Sequence, residues 1–95
     1  MAAYVLAQLE VHDPETFQRY REKVAPLVEA FGGRYIVRGG EVTPLEGELA
    51  APRLVILEFA DREAAKRWYF SGEYQDILPL RLRSATGSAV IVDGI

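Results

Sequence analysis

The sequence contains no cysteine and no asparagine, and it has one histidine, one methionine and one tryptophan among its 95 residues. Without cysteine, disulfide bonds, thiol nucleophiles and cysteine-ligated metal sites are excluded. A single histidine cannot form a multi-histidine metal site, so we expect no bound metal. Sequence patterns for a phosphate loop, a dinucleotide-binding turn and a nucleophile elbow are also missing, and we expect no cofactor.

The chain also lacks a concentrated basic segment. Its formal net charge is -3, and its densest basic stretch is Arg81-Leu82-Arg83. Because phosphate backbones are bound by clustered positive charge, we expect no nucleic-acid partner. The N-terminal apolar run, Ala2 to Leu9, is too short for a signal peptide or a membrane span, so we expect no membrane association and a cytoplasmic location.

Lysine is scarce as well, since nine of the 11 basic residues are arginine. Arginine in place of lysine, together with the missing asparagine, is a composition found in thermostable proteins. A GC-rich genome would also favour arginine codons. Both interpretations of the composition remain open, and we expect the protein to be thermostable.

The order of predicted elements indicates one α+β domain over residues 1–95. Apolar runs predict four strands, and helical spacing of apolar residues predicts helices after Asp13, Asp61 and Ser71, each a suitable N-cap. Pro26 is expected to bend the first helix or divide it into two segments, and Pro79 to interrupt the third helix. The predicted strands are Tyr4–Val11, Arg34–Arg38, Arg53–Phe59 and Gly87–Asp93.

The order β-α-β-β-α-β, with an extra helical segment before the last strand, predicts the ferredoxin-like plait. In this fold an antiparallel sheet carries its helices on one face. The strands are nevertheless apolar on both faces: Leu54 and Ile56 lie opposite Val55 and Leu57 in the third strand. Since the helices can cover only one face, we expect a homodimer in which a partner's sheet covers the other. The alternative is that the segment from Glu41 to Pro52 folds over this face.

Short segments distributed along the chain carry a distinctive combination of residues. They are Arg38-Gly39-Gly40 ahead of Leu45-Glu46-Gly47, the strand Arg53 to Phe59, Glu63-Ala64-Ala65 with Trp68-Tyr69, and Ser71-Gly72-Glu73-Tyr74-Gln75. Together they resemble a small bacterial family known as domain of unknown function 1330, over essentially the whole chain. The resemblance implies the dimeric α/β-barrel branch of the ferredoxin-like plait, where two sheets pack face to face. It implies no established activity, and Ala60 and Gly72 depart from it where proline is expected.

Glu58 is the most informative polar residue, because it alternates with Leu54 and Ile56 on an otherwise apolar face. A buried carboxylate needs a cation or hydrogen-bond donors, or its pKa rises. Glu58 is therefore either an acid/base group or ligand anchor, or one half of a structural ion pair with an arginine such as Arg38. Arg38 itself stands beside two glycines and could bind a ligand carboxylate in bidentate fashion.

Further candidate ligand-binding residues are aromatic or basic. The aromatic candidates, which fit a helix core as well as a ligand cavity, are Trp68, Tyr69 and Tyr74. Arg81 follows a predicted helix interruption and either turns inward or stays solvated beside Arg83. His12, at the entry to the first helix, is a possible lone general base or a surface residue.

Two functions remain open from the sequence. The first is a small dimeric module that binds a small molecule without catalysis. The second is a cofactor-independent enzyme, resembling a monooxygenase or an isomerase, that acts on a small oxygenated or aromatic molecule. Catalysis would require a titratable group inside a cavity, which Glu58 or His12 would have to supply. If both are paired or exposed, the binding function is favoured.

Overall fold

The structure, a computed structural model, describes the whole chain from residue 1 to residue 95. Four strands and three helices follow one another in the order that the sequence predicts. They are β1 (Ala3–Val11), α1 (Pro14–Ala30), β2 (Arg34–Arg38), β3 (Arg53–Phe59), α2 (Arg62–Tyr69), α3 (Gly72–Ser84) and β4 (Ala85–Asp93). This is the α+β, ferredoxin-like βαββαβ order with one additional helix before β4.

The strands form one antiparallel sheet in the order β2-β3-β1-β4. One face of this sheet, the inner face, packs against the helices and forms the core. Its other face, the outer face, carries no helix. Buried core residues from strands and helices include Val5, Leu57, Phe59, Val24 and Trp68.

The helices begin where the capping residues predict. The side chains of Asp13, Asp61 and Ser71 accept hydrogen bonds from backbone N–H groups three residues later, at 3.2, 2.8 and 3.1 Å. Helix α1 ends before Gly32, whose φ of +82° is a conformation that favours glycine. Local capping chemistry therefore fixes the helix boundaries.

The two internal prolines do not divide their helices. The predicted interruption at Pro79 is therefore wrong, and of the two outcomes predicted for Pro26, a bend or a division, the division does not occur. Helix α1 is continuous through Pro26, and α3 is continuous through Pro79. Each proline removes one backbone N–H donor. Both prolines lie on exposed faces, where water can bind the carbonyl groups left without a donor.

Strand β2 contains an irregularity that matters for the site. Tyr35 pairs with Leu57 and Val37 pairs with Ile56, so Ile36 has no partner of its own. Such a bulge shifts the alternation of all later residues in the strand. As a result Arg38 pairs with Val55 and shares the inner face with Tyr35.

The outer face remains largely apolar and uncovered. Val90 and Val92 are 51% and 48% exposed. The connection between β2 and β3 does not cover them, because residues 41–50 are all exposed and only Ala51 is buried. The end of this segment does meet the polar end of the outer face, where Ala50 and Ala51 line a pocket with Gln8, Glu10 and Ser88. The alternative that the segment covers the outer face therefore holds only at that end, and the apolar part around Val90 and Val92 stays uncovered.

None of the three helices combines the length and the apolar character that crossing a membrane requires.

Candidate functional site

A cavity of about 70 Å³ lies between the helices and the inner face of the sheet. Residues from every strand and every helix line it, and 14 of the 18 lining residues are hydrophobic. The other four are all arginines, namely Arg21, Arg38, Arg53 and Arg81. The lining contains no carboxylate, and none of these arginines forms an ion pair.

Small side chains leave the room for this cavity. Ala7 in the central strand β1 pairs with Val55 on one side and with Ala89 on the other. Both alanines line the cavity, and Ala25 of α1 lines it from the helix layer. Larger residues here would fill the space between the two layers.

Aromatic rings enclose the deep end of the cavity. The ring centroids of Trp68 and Tyr74 are 4.3 Å apart, and those of Tyr69 and Tyr74 are 5.3 Å apart. The hydroxyl groups of Tyr20 and Tyr74 form a hydrogen bond of 2.8 Å. Burial raises the pKa of both tyrosines, so both remain protonated at neutral pH. The three predicted aromatic residues, Trp68, Tyr69 and Tyr74, thus serve the core and line the cavity at once.

Arg81 lies at the same deep end and is only 9% exposed. Tyr74, Leu78 and Arg81 are spaced by four and three residues, which places them on one face of the continuous helix α3. The interpretation of Arg81 and Arg83 as a solvated pair is therefore wrong for Arg81, whereas Arg83 is exposed. Nε of Arg81 is buried without a hydrogen-bond partner, and so is Nε1 of Trp68.

The other three arginines surround the mouth of the cavity. The guanidinium carbon of Arg38 lies 3.8 Å from the centroid of the Tyr35 ring, a cation–π contact. That of Arg53 lies 5.3 Å from the centroid of Phe17. Burial lowers the pKa of Arg53, and the nearby positive charge of Arg21 lowers it further. Positive charge is thus concentrated here without a neutralising carboxylate.

Gly39 is required for this arrangement. Its φ is +66°, and a Cβ atom at this position would lie 2.8 Å from the guanidinium carbon of Arg53. Gly39, one of the two glycines beside Arg38, therefore leaves room for the side chain of Arg53.

Glu58 lies outside the cavity, on the outer face of the sheet. Its Oε1 accepts a hydrogen bond of 2.6 Å from Nε of Arg34, and its Oε2 accepts one of 3.3 Å from the Tyr4 hydroxyl. Of the two alternatives for Glu58, the structure therefore shows the ion pair with an arginine, but its partner is Arg34 and not Arg38. The antiparallel register is the physical reason, because it places Arg34 directly opposite Glu58 and Arg38 at the far end of the strand pair, opposite Val55. The bulge at Ile36 then turns Arg38 to the inner face.

His12 also lies outside the cavity. It is exposed where β1 meets α1, and its backbone N–H donates to the carbonyl oxygen of Ser84 at 2.9 Å. The structure therefore brings together Arg38, Trp68, Tyr69, Tyr74 and Arg81 of the predicted site residues. Glu58 and His12 are separate from them.

Four lining residues with polar groups were not predicted as site residues: Tyr20, Arg21, Tyr35 and Arg53. Arg53 carried a usable signal, because it alternates with Val55 and Leu57 and so places a charge on the inner face. Tyr20 carried a weaker one, since it falls among the apolar residues of α1. For Arg21 and Tyr35 the sequence contains no such signal, because the cavity forms only when α1 packs over β2.

Comparison with solved structures supports the fold. A protein of unknown function from Rhodopseudomonas palustris is 15% identical, with a TM-score of 0.78 over 99% of this chain and 82% of that chain. A dimeric ferredoxin-like protein of unknown function from Jannaschia sp. CCS1 is 15% identical, with a TM-score of 0.67 over 99% of this chain and 100% of that chain. SnoaB, a cofactor-independent oxygenase from Streptomyces nogalater, is 13% identical, with a TM-score of 0.64 over 99% of this chain and 93% of that chain.

At these identities the likeness establishes the fold and not the activity. Among curated proteins, none matches this sequence. The sequence does match one family along nearly its whole length, from residue 2 to residue 95. The chain therefore belongs to the family described as "Domain of unknown function (DUF1330)", as its sequence segments indicated.

Proposed function

We propose that this protein is a homodimeric module that binds a small organic anion in the cavity between its helices and its sheet. The observation that carries the proposal is the composition of the lining. Its only charged residues are four arginines, and no carboxylate neutralises them. The apolar remainder of the lining suits the carbon skeleton of an organic acid.

The buried arginines explain why an anion would bind. A charge taken out of water without a partner is costly, and each buried donor without an acceptor costs about 1–3 kcal/mol. Nε of Arg53 and Nε of Arg81 are both buried without a partner. A carboxylate entering the cavity would accept hydrogen bonds from guanidinium groups in the planar geometry that favours tight pairing.

The size of the cavity restricts the ligand. Its volume of about 70 Å³ is smaller than the ~300–1,000 Å³ of most pockets for drug-sized ligands. Arg21 and Arg38 at the mouth are exposed, so their side chains can move aside as a ligand enters. These dimensions restrict the ligand to a compact acid, no larger than one ring, and even a single ring enters only as the side chains at the mouth move.

Binding without catalysis is favoured because the cavity contains no group that accepts a proton at neutral pH. Glu58 is paired with Arg34 on the outer face, and His12 is exposed. The cavity tyrosines are protonated, because burial raises the pKa of Tyr20, Tyr35 and Tyr74.

A cofactor-independent enzyme is the second candidate. SnoaB, described as a cofactor-independent oxygenase, shares the fold. The unpartnered N–H groups of Trp68 and Arg81 are suited to stabilising negative charge on a bound substrate. Such an enzyme would have to use a base carried by the substrate itself.

The outer face supports the homodimer. Its exposed and half-buried residues include Leu6, Leu54, Ile56, Val90 and Val92. A patch of this kind on a small domain is typical of an interface, and a partner's sheet packed face to face would cover it. The similar protein from Jannaschia is described as dimeric.

The charge of the protein surface bears on nucleic acid and membranes as partners. Arg81 is buried, so the surface is slightly more acidic than the net charge of -3 indicates. Such a surface repels nucleic acid and anionic membranes. We infer a protein of the cytoplasm that binds neither.

Binding can be tested with benzoate, using the fluorescence of the single tryptophan, Trp68, which lines the cavity. We expect benzoate to change this fluorescence saturably and benzyl alcohol, its neutral counterpart, to bind at least tenfold more weakly, because only the anion pairs with the arginines. Arg53→Gln should weaken benzoate binding about tenfold or more.

The matched control is Arg67→Gln. Arg67 is an exposed arginine of α2 that forms no ion pair and does not line the cavity. This variant should bind benzoate as the unchanged protein does. Equal binding of benzoate and benzyl alcohol, or equal losses in the two variants, would contradict the proposed function.

A further inference from the structure

The deep end of the cavity contains hydrogen-bond donors in excess of acceptors. In the pair formed by Tyr20 and Tyr74, one hydroxyl donates to the other, so the hydrogen of the second has no acceptor in the protein. Nε of Arg81 and Nε1 of Trp68 are buried without partners. No carboxylate, amide or imidazole lines the cavity to accept from them.

Tyr20, Trp68, Tyr74 and Arg81, which carry these donors, all line the same cavity. The rings of Trp68 and Tyr74 are in tilted contact with centroids 4.3 Å apart, and Tyr74 and Arg81 lie on the same face of α3. Trp68 and Arg81 are 98% and 91% buried, respectively. Buried donors around a cation form an environment that stabilises an oxyanion, because each donor interacts more strongly with a charged oxygen than with a neutral one.

This deep donor set is separate from the arginines at the mouth. Arg38 is held over Tyr35 of β2, and Arg53 lies against Gly39 and faces Phe17. The cavity thus has cationic groups at both ends, with apolar and aromatic walls between them. A ligand that fits both ends carries an acidic group on each side of a flat, apolar centre.

On the basis of the proposed function, we propose that the ligand is a single-ring aromatic acid that also carries a phenolic oxygen. Its carboxylate binds the arginines at the mouth. Its phenolic oxygen binds at the deep end as the phenolate, beside Arg81, Trp68 and the tyrosine pair. Binding therefore ionises the phenol: its proton passes to the solvent, and the protein keeps its own protonation state.

The experiment uses 4-hydroxy-3-nitrobenzoate, whose phenolate form absorbs visible light, so the ionisation of the bound molecule is read directly. We expect the phenol pKa of the bound molecule to be lower than that of the free molecule by about one unit or more, which corresponds to about tenfold tighter binding of the phenolate. The phenolate band should then appear on binding at a pH where the free molecule is mostly protonated.

Variants separate the two ends. Arg81→Met should abolish the pKa shift, and Trp68→Phe should reduce it and serves as the second variant if Arg81→Met does not fold. Arg38→Gln at the mouth should weaken binding of the molecule while leaving the pKa shift of the bound fraction in place. As an independent measurement, calorimetry in buffers of different ionisation enthalpy should detect proton release when 4-hydroxybenzoate binds.

The outcomes distinguish this inference from the proposed function. If benzoate binds but neither hydroxylated acid binds with a lowered phenol pKa or releases a proton, the inference is overturned and anion binding stands. If Arg81→Met and Trp68→Phe both retain the full shift, the deep end is not responsible and the inference is again overturned. If neither benzoate nor the hydroxylated acids bind at millimolar concentration, the proposed function fails as well.

Discussion

At the scale of single residues, the cavity tyrosines link folding to pH. Burial raises the pKa of Tyr20 and Tyr74 above its ordinary value of 10.0, and that of Tyr35 as well. A group with a raised pKa in the folded protein contributes its full stability below its pKa in the unfolded chain. That stability is lost as the pH rises above about 10, because the unfolded chain releases the proton first.

We therefore predict that the free energy of unfolding falls steeply above about pH 10, by about 1.4 kcal/mol per pH unit for each such tyrosine. Tyr20→Phe should reduce this dependence on pH by the contribution of one tyrosine. At neutral pH it should lower the free energy of unfolding by about 1 kcal/mol, because the hydrogen bond to Tyr74 is lost. Denaturant unfolding at a series of pH values measures both. Equal alkaline slopes in the variant and the unchanged protein would contradict the prediction.

Glu58 lies away from the cavity, so we predict that replacing it has a small effect on stability and none on binding. The side chains of Arg34 and Glu58 are 71% and 25% exposed. Pairs with an exposed partner contribute about 0–1 kcal/mol. Glu58→Gln should therefore reduce the free energy of unfolding by no more than about 1 kcal/mol and leave benzoate binding unchanged.

The effects of replacing Glu58 and Arg34 on the free energy of unfolding are best measured in a variant that does not dimerise. The reason is that this ion pair lies on the outer face, which we assign to the dimer interface. Arg34→Gln should cost about as much as Glu58→Gln, and the double variant about as much as either one, because both remove the same interaction. A loss of benzoate affinity in Glu58→Gln would place Glu58 in the binding site and refute its assignment to the outer face.

At the scale of elements, the edge strand β2 and its turn position two of the arginines. The bulge at Ile36 sets Arg38 on the inner face, and the turn at Gly39 gives Arg53 its place. The N–H of Gly39 donates to the carbonyl oxygen of Leu54 at 2.8 Å. This hydrogen bond fixes the turn against β3.

We predict that Gly39→Ala destabilises the protein by about 1–2 kcal/mol, because a residue with a Cβ atom is strained at this positive φ. It should also weaken benzoate binding, since the new methyl group would displace the guanidinium group of Arg53. Thermal unfolding and tryptophan fluorescence measure the two effects.

The matched control is the neighbouring glycine. At Gly40 a Cβ atom would meet nothing within 4 Å, and φ is not positive. Gly40→Ala should therefore change neither stability nor binding appreciably. Similar behaviour of the two variants would show that the turn does not position Arg53.

At the scale of the whole molecule, the uncovered outer face predicts association. Light scattering at micromolar concentration should give about twice the chain mass of 10.6 kDa. Val90→Glu should produce monomers, because a carboxylate on the outer face would be buried without a partner in the dimer. Leu82→Glu is the control, since Leu82 is 60% exposed but lies on α3. A monomeric unchanged protein would contradict the homodimer.

Composition and assembly together predict thermal stability. The chain has no asparagine, and nine of its 11 basic residues are arginine. A dimer also resists heat more strongly as its concentration rises, because association favours the folded state. We expect a melting temperature above the ~45–65 °C range of most mesophile domains, increasing with protein concentration. A calorimetric melting temperature within that range would argue that the arginine bias reflects codon usage alone.

The sequence by itself determined the features that depend on neighbours along the chain. Asp13, Asp61 and Ser71 cap the helices because each bonds a backbone N–H three residues later. Alternating apolar residues predicted the strands. The apolar outer side of β3 predicted that the outer face of the sheet is covered as well. Trp68 and Tyr74 could be predicted as cavity residues because their spacing places them on helix faces that turn toward the sheet.

Only the tertiary structure decided which polar groups meet. The antiparallel register placed Arg34, and not the expected Arg38, opposite Glu58, and the bulge at Ile36 turned Arg38 to the inner face. No local pattern predicts a bulge when all neighbouring residues suit a strand. Arg81 is buried because α3 continues through Pro79, which depends on the proline facing water. The donor-rich cavity arises where residues from all seven elements converge, so its chemistry is a property of long-range packing.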